Sequence, residues 1–265
     1  MIGIIGGSGI YDPEMIKDLE KIMVETPYGN VNVSRGTYSK KAVAFLPRHG
    51  DSHSIPPHLI NYRANIWALK KIGVTRVLST SASGSINPSI RPGSFVVLSN
   101  FLDFTKSRQN TFYDGAASPM EEKDVVHIDV TEPYCPELRS VLLEAGMKEN
   151  LPMVDHGVYV CTEGPRFESS AEIKMFSRMG GDVVGMTNLP EVVLARELEM
   201  CYASISTVTN YAAGISDKKL THKEVLDIMS KNIEDIRTIF KRAIPKVSEE
   251  RNCECKSLLD GAKGD

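Results

Sequence analysis

Arg48 follows the apolar run Val43–Leu46 within Pro47-Arg48-His49-Gly50. A guanidinium at the end of a strand offers a planar fork of donors that matches phosphate geometry. His49 can add a further donor. His53 and His58 follow closely and raise a metal site, yet His49-x3-His53-x4-His58 matches no zinc pattern, and a proline lies between the second and third. Upstream, Gly6-Gly7-Ser8-Gly9 follows another apolar run. A turn of this kind aims successive backbone N–H groups inward, and the Ser8 hydroxyl completes an anion cradle. A purely structural turn fits the same residues. A dinucleotide fingerprint fails, because Asp12 stands where its third glycine belongs.

Four further patches lie just after apolar runs. Ser79-Thr-Ser-Ala-Ser-Gly84 lines up small residues and hydroxyls around Ser81 and Ala82, as an anion site or as a plain polar turn. Glu163-Gly-Pro-Arg-Phe-Glu168 puts Phe167 and Glu168 before a helix start, where a carboxylate can also serve the helix itself. Gly185-Met186-Thr187 and Thr209-Asn210-Tyr-Ala212 complete the set, and Asn210 alone is an ordinary turn residue.

The elements that would carry these patches are short strands alternating with helical spacing. Strands are expected near Met1–Ile5, Lys41–Leu46, Arg76–Thr80, Ser94–Leu98, Gly157–Cys161, Val183–Gly185 and Cys201–Val208. Ile60, Ala64, Trp67, Ala68 and Ile72 share one helical face after Pro56-Pro57. Capping boxes start at Ser169 and Thr221, each with a glutamate three residues on. The second opens an amphipathic helix carrying Val225, Ile228, Met229, Ile233, Ile236 and Phe240, which Pro245 ends. Alternation of this kind means an α/β fold, a mixed, twisted central sheet flanked by helices in one domain over residues 1–247. Ligands of such sheets gather at the carboxyl ends of strands, where all six patches fall. A polar tail, residues 248–265, is expected to be loosely held.

Composition sets the outer bounds. With 31 Lys+Arg against 34 Asp+Glu, nothing drives the chain toward nucleic acid or an anionic membrane, so any anion site is local. No apolar run reaches membrane-spanning length and the start lacks a signal-peptide pattern, which points to the cytoplasm. The five cysteines do not form a disulfide framework. Cys135, Cys161 and Cys201 sit in apolar surroundings as buried thiols. Cys253-Glu-Cys255 belongs to the tail; a zinc site there needs two more ligands, none of them nearby in sequence, a disulfide between the two or to a distant cysteine would suit only a hyperthermophile, and an exposed reduced pair is the simpler expectation.

Taken in order, IGIIGGSG, PRHG, PPHLINYRANIWALK, EGPRFES and VVGMTNLPEVVLARE resemble the trimeric purine nucleoside phosphorylase and methylthioadenosine phosphorylase family, from Met1 to about Pro245. The resemblance implies phosphorolysis of a purine nucleoside, with inorganic phosphate as co-substrate and neither metal nor organic cofactor. It assigns Ser8, Arg48, His49, Ser81, Ala82 and Thr187 to phosphate, with Arg48 and Ser8 joining Asn210 in catalysis. Met186 would pack on the ribose, His53 would stand near the 5′ end, and Phe167 and Glu168 would meet the base. His127 would reach a neighbouring subunit's site, since the family forms trimers, some of them paired into hexamers.

Two positions bear on the base. The methylthioadenosine branch usually has Asp-Tyr-Asp where this chain has Asn210-Tyr-Ala212. An amide both donates and accepts, so it can serve O6 and the proton developing on N7. Glu168 can accept from the N1–H of a 6-oxopurine, whereas adenine N1 would face it unpaired at a cost on the order of 1–3 kcal/mol. The expected substrate is therefore methylthioinosine, inosine or guanosine. A 6-aminopurine phosphorylase and a non-catalytic nucleotide-binding protein stand as the alternatives.

Overall fold

Alternate residues of the central strands divide between two hydrophobic layers, and that division sets the architecture. Ile5, Ala44, Leu46, Tyr202 and Val208 join one layer, whereas Ile2, Ile4, Val43, Phe45, Cys201, Ala203 and Ile205 join the other. A strand's two-residue period sends neighbours to opposite faces, so runs that are apolar throughout demand cover on both sides.

The computed structural model describes residues 1–7, 16–50, 52, 54–115, 125–216 and 222–262, apart from the side chains of 222–227, 229 and 231. Along the chain these form β1 (Ile2–Gly6), β2 (Lys17–Thr26), β3 (Gly29–Tyr38), β4 (Lys41–Pro47), α1 (Tyr62–Lys71), β5 (Arg76–Ser85), β6 (Phe95–Val97) and β7 (Asn100–Phe104). There follow α2 (Pro136–Lys148), β8 (Met153–Val154), β9 (Val158–Thr162), α3 (Ser170–Arg178), β10 (Val183–Gly185), α4 (Glu191–Glu197), β11 (Cys201–Tyr211) and α5 (His222–Ala243). The sheet runs β2-β3-β4-β1-β5-β10-β9-β7, and β11 pairs with β5 and β6, the latter with β8. Helices α1 and α4 cover the first layer; α2 and α5 cover the second. This is the mixed α/β sheet flanked by helices that the sequence leads one to expect.

All seven expected strands fall on β1, β4, β5, β6, β9, β10 and β11. The β2–β3 hairpin has no counterpart among them, because β2 exposes nearly every residue from Lys17 to Met23 and lacks an apolar alternation. Ser169 caps α3 as expected: its side chain accepts from Glu172 N at 3.2 Å, and the Glu172 carboxylate accepts from Ser169 N at 2.7 Å. The box at Thr221 lies outside the described residues. Helix α1 starts later than Pro56-Pro57 suggests. Asn61 caps it through Ala64 N at 3.0 Å, and the prolines open a separate short turn, Pro57–Leu59.

Strand β5 organises the centre. Its first half pairs with β1 and its second half with β10, while β11 runs parallel along its other side. Both β5 and β11 are buried yet rich in hydroxyls, which costs stability unless each hydroxyl is bonded. Ser206 Oγ donates to Ser83 Oγ at 2.8 Å, Ser81 Oγ donates to Ser206 Oγ at 3.1 Å, and Asn188 Nδ2 donates to Ser204 Oγ at 3.1 Å.

The segment after Ser248 is not loosely held. Arg76 donates to Glu250 O, Arg251 Nη1 to Glu199 O at 2.6 Å, and Asn252 N to Glu137 Oε1 at 2.7 Å. Cys253 and Cys255 are buried in the second layer beside Cys135 and Cys201, so the two further thiols that the sequence lacked nearby come from the residue before α2 and from β11. Polar residues hide this docking from sequence, because their partners lie far along the chain. Among the described residues no helix is long and apolar enough to cross a membrane.

Candidate active site

Arg48 continues β4 by donating its backbone N–H to Gly6 O at 3.0 Å, which brings the end of β1 and Arg48 together. Its side chain is 2% exposed and enters a dense polar network. Nε donates to Glu191 Oε2 at 2.7 Å and Nη2 to Glu191 Oε1 at 2.8 Å, a bidentate pair. Nη2 also donates to Ser79 Oγ at 2.6 Å, and Nη1 to Thr80 O at 2.9 Å. A guanidinium carries five N–H bonds, so four are committed and one on Nη1 is left for a ligand. Burial works against its charge, but Glu191 more than offsets this and holds Arg48 firmly protonated. Glu191 is itself fixed by donors from Tyr202 Oη at 2.7 Å and Ser79 Oγ at 3.1 Å. His49 Nδ1 lies 2.9 Å from Ile55 O, which places the proton on Nδ1 and turns Nε2 away from that bond.

Beyond Arg48 the candidate residues follow β5. Ser81 pairs with Ser206, and Gly84 lies between Val184 of β10 and Asn210 of β11. The antiparallel run of β10 sets Gly185 beside Ala82, where a side chain on Gly185 would come within 3.0 Å of Ala82 O. Met186 and Thr187 follow directly, so chain direction returns Thr187 toward Ser81. The Tyr159 hydroxyl accepts from Thr187 N at 3.4 Å, and Tyr62 Oη donates to Met186 O at 3.5 Å. From Ser81 to Gly84 is about 10 Å at ~3.3 Å per residue, a span suited to a phosphate at one end and a heterocycle at the other.

The corner around Asn210 depends on a bulge. Val208 pairs with Ser83 but Asn210 pairs with Gly84, leaving Thr209 as the extra residue. A bulge re-aims the next side chain, and the Asn210 amide here lies over Gly84. A Cβ on Gly84 would stand 3.0 Å from Asn210 Nδ2, so glycine keeps that space open. Thr209 Oγ1 donates to Asn210 Oδ1 at 2.7 Å and Asn210 Nδ2 donates to Tyr211 O at 2.9 Å, which fixes the amide with one N–H still to give. Ala212 is buried under Ile173 and Phe176 and donates its N–H to Ser85 O at 2.8 Å, supporting the same corner.

Glu168 approaches from β9 and α3. Thr162 Oγ1 donates to Glu168 Oε1 at 2.5 Å and lies 3.4 Å from Gly185 O, tying the carboxylate to the end of β10. Burial raises the Glu168 pKa above the ordinary carboxylate value, and the Thr162 hydroxyl opposes part of that shift. The loop after Asn210 closes on the start of α3: a side chain on Gly214 would meet Ser170 Cβ at 2.8 Å. Asn210 and Glu168 thus come to one corner of the sheet. Phe167, 40% exposed, projects at its rim.

The strand ends therefore gather Arg48, Ser81, Ala82, Met186, Thr187, Glu168 and Asn210 around β5. Ser8 and His53 lie outside the described residues. His127 is exposed, and its backbone N–H donates to Ala262 O at 2.8 Å, which ties it to the C-terminal segment. Glu191, Thr162 and Tyr202 carry weight that motif reading missed. A buried glutamate at the start of α4 was the available signal, but its partner stands 143 positions away.

Residues 1–245 match the family described as the phosphorylase superfamily. A 6-oxopurine nucleoside phosphorylase of Pyrococcus furiosus is 57% identical, over 99% of this chain and 99% of its own. A probable S-methyl-5′-thioinosine phosphorylase of Methanothermobacter thermautotrophicus is 52% identical, over 99% of this chain and 90% of its own. Among solved structures, methylthioadenosine phosphorylase from Schistosoma mansoni in complex with adenine superposes with a TM-score of 0.91 at 36% identity, covering 99% of this chain and 98% of that one. Fold, length and sequence agree along nearly the whole polypeptide, and the chain belongs to the phosphorylase superfamily.

Proposed function

We propose that the chain catalyses phosphorolysis of a 6-oxopurine nucleoside, either with an ordinary ribose or as S-methyl-5′-thioinosine. The C1′–N9 bond breaks, a phosphate oxygen bonds to C1′, and the proton that phosphate gives up is balanced by the one that N7 takes from solvent and carries away with the free purine. The products are the base and ribose 1-phosphate, or its methylthio analogue. The pairing of an amide with a carboxylate at the Asn210–Glu168 corner carries this reading. Asn210 has an N–H for O6, and its oxygen accepts a hydrogen bond from the N7–H that forms, so the base departs protonated rather than as an anion. Glu168 in its ionised form accepts from N1–H. The names of the Pyrococcus and Methanothermobacter relatives support the same choice.

Phosphate lies, in this proposal, between the Gly6–Ser8 turn, Arg48, His49, Ser81–Ala82 and Thr187. It acts as nucleophile and as counter-charge to an oxocarbenium-like sugar. Because Glu191 neutralises Arg48, the arginine contributes one directed N–H rather than a surplus positive charge. Met186 packs on the ribose, with His53 near its 5′ end. No metal or organic cofactor takes part in the reaction, and His127 serves a neighbouring site within a homotrimer.

A phosphate-dependent activity panel tests the reading. Adenosine, inosine, guanosine and the two 5′-methylthio nucleosides are incubated with and without phosphate, and free base is measured. Base release from inosine or methylthioinosine only with phosphate is the expected result. Preference for methylthioadenosine would favour the 6-aminopurine activity named for the Schistosoma structure. No phosphate-dependent release from any substrate would leave a nucleotide-binding protein.

A further inference from the structure

Four thiols meet far from the strand ends just described. Cys201 opens β11, nine residues before Asn210 and so roughly 30 Å from it at ~3.3 Å per residue. Cys135 precedes α2, and its backbone N–H donates to Tyr202 O at 2.8 Å, which holds it beside Cys201. The C-terminal segment supplies the other two. Cys253 has extended backbone, φ −89° and ψ 161°, and a single turn over Glu254–Lys256 brings Cys255 back beside it.

Cys253 Sγ stands 3.7 Å from Cys135 Sγ and 3.4 Å from Cys201 Sγ, and all four sulfurs lie within 4.8 Å of one another. All four residues are buried. A tetrahedral ion with metal–sulfur bonds of about 2.3 Å has sulfur–sulfur edges of about 3.8 Å. Two separate disulfides would not require one sulfur to be near both Cys135 and Cys201. We propose that Cys135, Cys201, Cys253 and Cys255 form a structural tetrathiolate site for one zinc-like divalent ion.

Four thiolates fill a tetrahedron and leave no position for substrate, so the site is structural rather than catalytic. Each thiol gives its proton to solvent as it binds, and the centre then carries two net negative charges. Arg76 is the nearby counter-charge: Nη1 lies 3.9 Å from Cys201 Sγ and 2.8 Å from Glu137 Oε2. The ion would join β11 and the start of α2 to the C-terminal segment, and through Ala262 O to the backbone of His127. Metal binding would thereby brace the His127 segment.

The full-length protein, purified anaerobically under reductant, is dialysed against metal-free buffer and its metal content measured. One zinc per chain is expected, released by a mercurial thiol reagent. The metal-free protein titrated with Co2+ should show the intense visible bands of a tetrahedral ion and sulfur-to-cobalt charge transfer in the near ultraviolet, saturating at one equivalent. Cys255→Ser should lose or alter these bands, and Cys161→Ser should keep them. Should Cys255→Ser fail to fold, the wild-type cobalt spectrum decides by itself. Five free thiols in denaturant with neither zinc nor a cobalt spectrum would overturn the proposal. A single free thiol, with the other four in disulfides, would overturn it equally.

Discussion

Arg48 and Glu191 form a bidentate ion pair with both side chains buried, at 2.7 and 2.8 Å, so the cation proposed to meet phosphate is already neutralised. Such a pair repays its desolvation only when geometry is good and further hydrogen bonds support it; Ser79 and Thr80 accept from Arg48 and Tyr202 donates to Glu191, leaving one Nη1 N–H open. Its role is then to aim the arginine. Glu191→Gln keeps the shape but loses the charge and one acceptor, freeing the guanidinium to turn. The phosphate KM should rise about tenfold or more, in line with roughly 1.5–3 kcal/mol for one charge-assisted hydrogen bond. The nucleoside KM should move far less. Glu191→Ala strands a buried charge and should cost about 3–5 kcal/mol of stability by urea unfolding. An unchanged phosphate KM in Glu191→Gln would detach the pair from the cleft.

Asn210→Asp tests the base. A carboxylate accepts but does not donate, so it repels O6 and welcomes a 6-amino group. The ratio of kcat/KM for methylthioadenosine over methylthioinosine should rise by about one to two orders of magnitude, as site-specific hydrogen-bond mismatches allow. Gly84→Ala should lower activity on all purines together, because a Cβ there would crowd the Asn210 amide from 3.0 Å. A ratio unmoved by Asn210→Asp would remove this residue from base recognition.

Much of this arrangement is legible in the sequence for local reasons. The central strands open on apolar, largely β-branched runs, and Arg48, Ser81, Thr187 and Asn210 each stand at or near the carboxyl end of one. What escapes is non-local. Glu191 reads as one more helix-start acid until Arg48 is seen beside it. The bulge at Thr209 is a property of register, which a single strand does not display. The β2–β3 hairpin is polar because it lies at the sheet's end, and the Cys253–Cys255 segment hides its burial among charged neighbours.

Glu168 predicts a pH profile. An N1–H donor needs the ionised carboxylate, and burial places that ionisation above the usual 4.5. For inosine, kcat/KM should fall toward acid with a limb above the ordinary carboxylate range. Glu168→Gln keeps an acceptor that does not titrate, so that limb should vanish while overall activity drops. Phosphate titrates alike in both enzymes and cancels in the comparison. A limb that persists unchanged in Glu168→Gln would belong to another group.

Glu197 makes stability, rather than activity, depend on pH. Its carboxylate is buried, accepting from Phe112 N and from Thr111 Oγ1, both at 2.7 Å. Burial outweighs these two donors and pushes its pKa from 4.5 up to about 7. The folded state thus binds this proton more tightly than the unfolded chain does. The contribution is fully present below pH 4.5 and is lost as pH rises through about 7, by at most about 3 kcal/mol. Glu197→Gln can keep both contacts, its carbonyl accepting from Phe112 N and its amide donating to Thr111 Oγ1, which is free to reverse its role. Urea unfolding at pH 5 and pH 8 should show the wild type losing stability relative to this variant across that interval. Parallel pH dependence in the two proteins would mean that Glu197 stays ionised throughout and that solvent reaches it more readily than its packing implies.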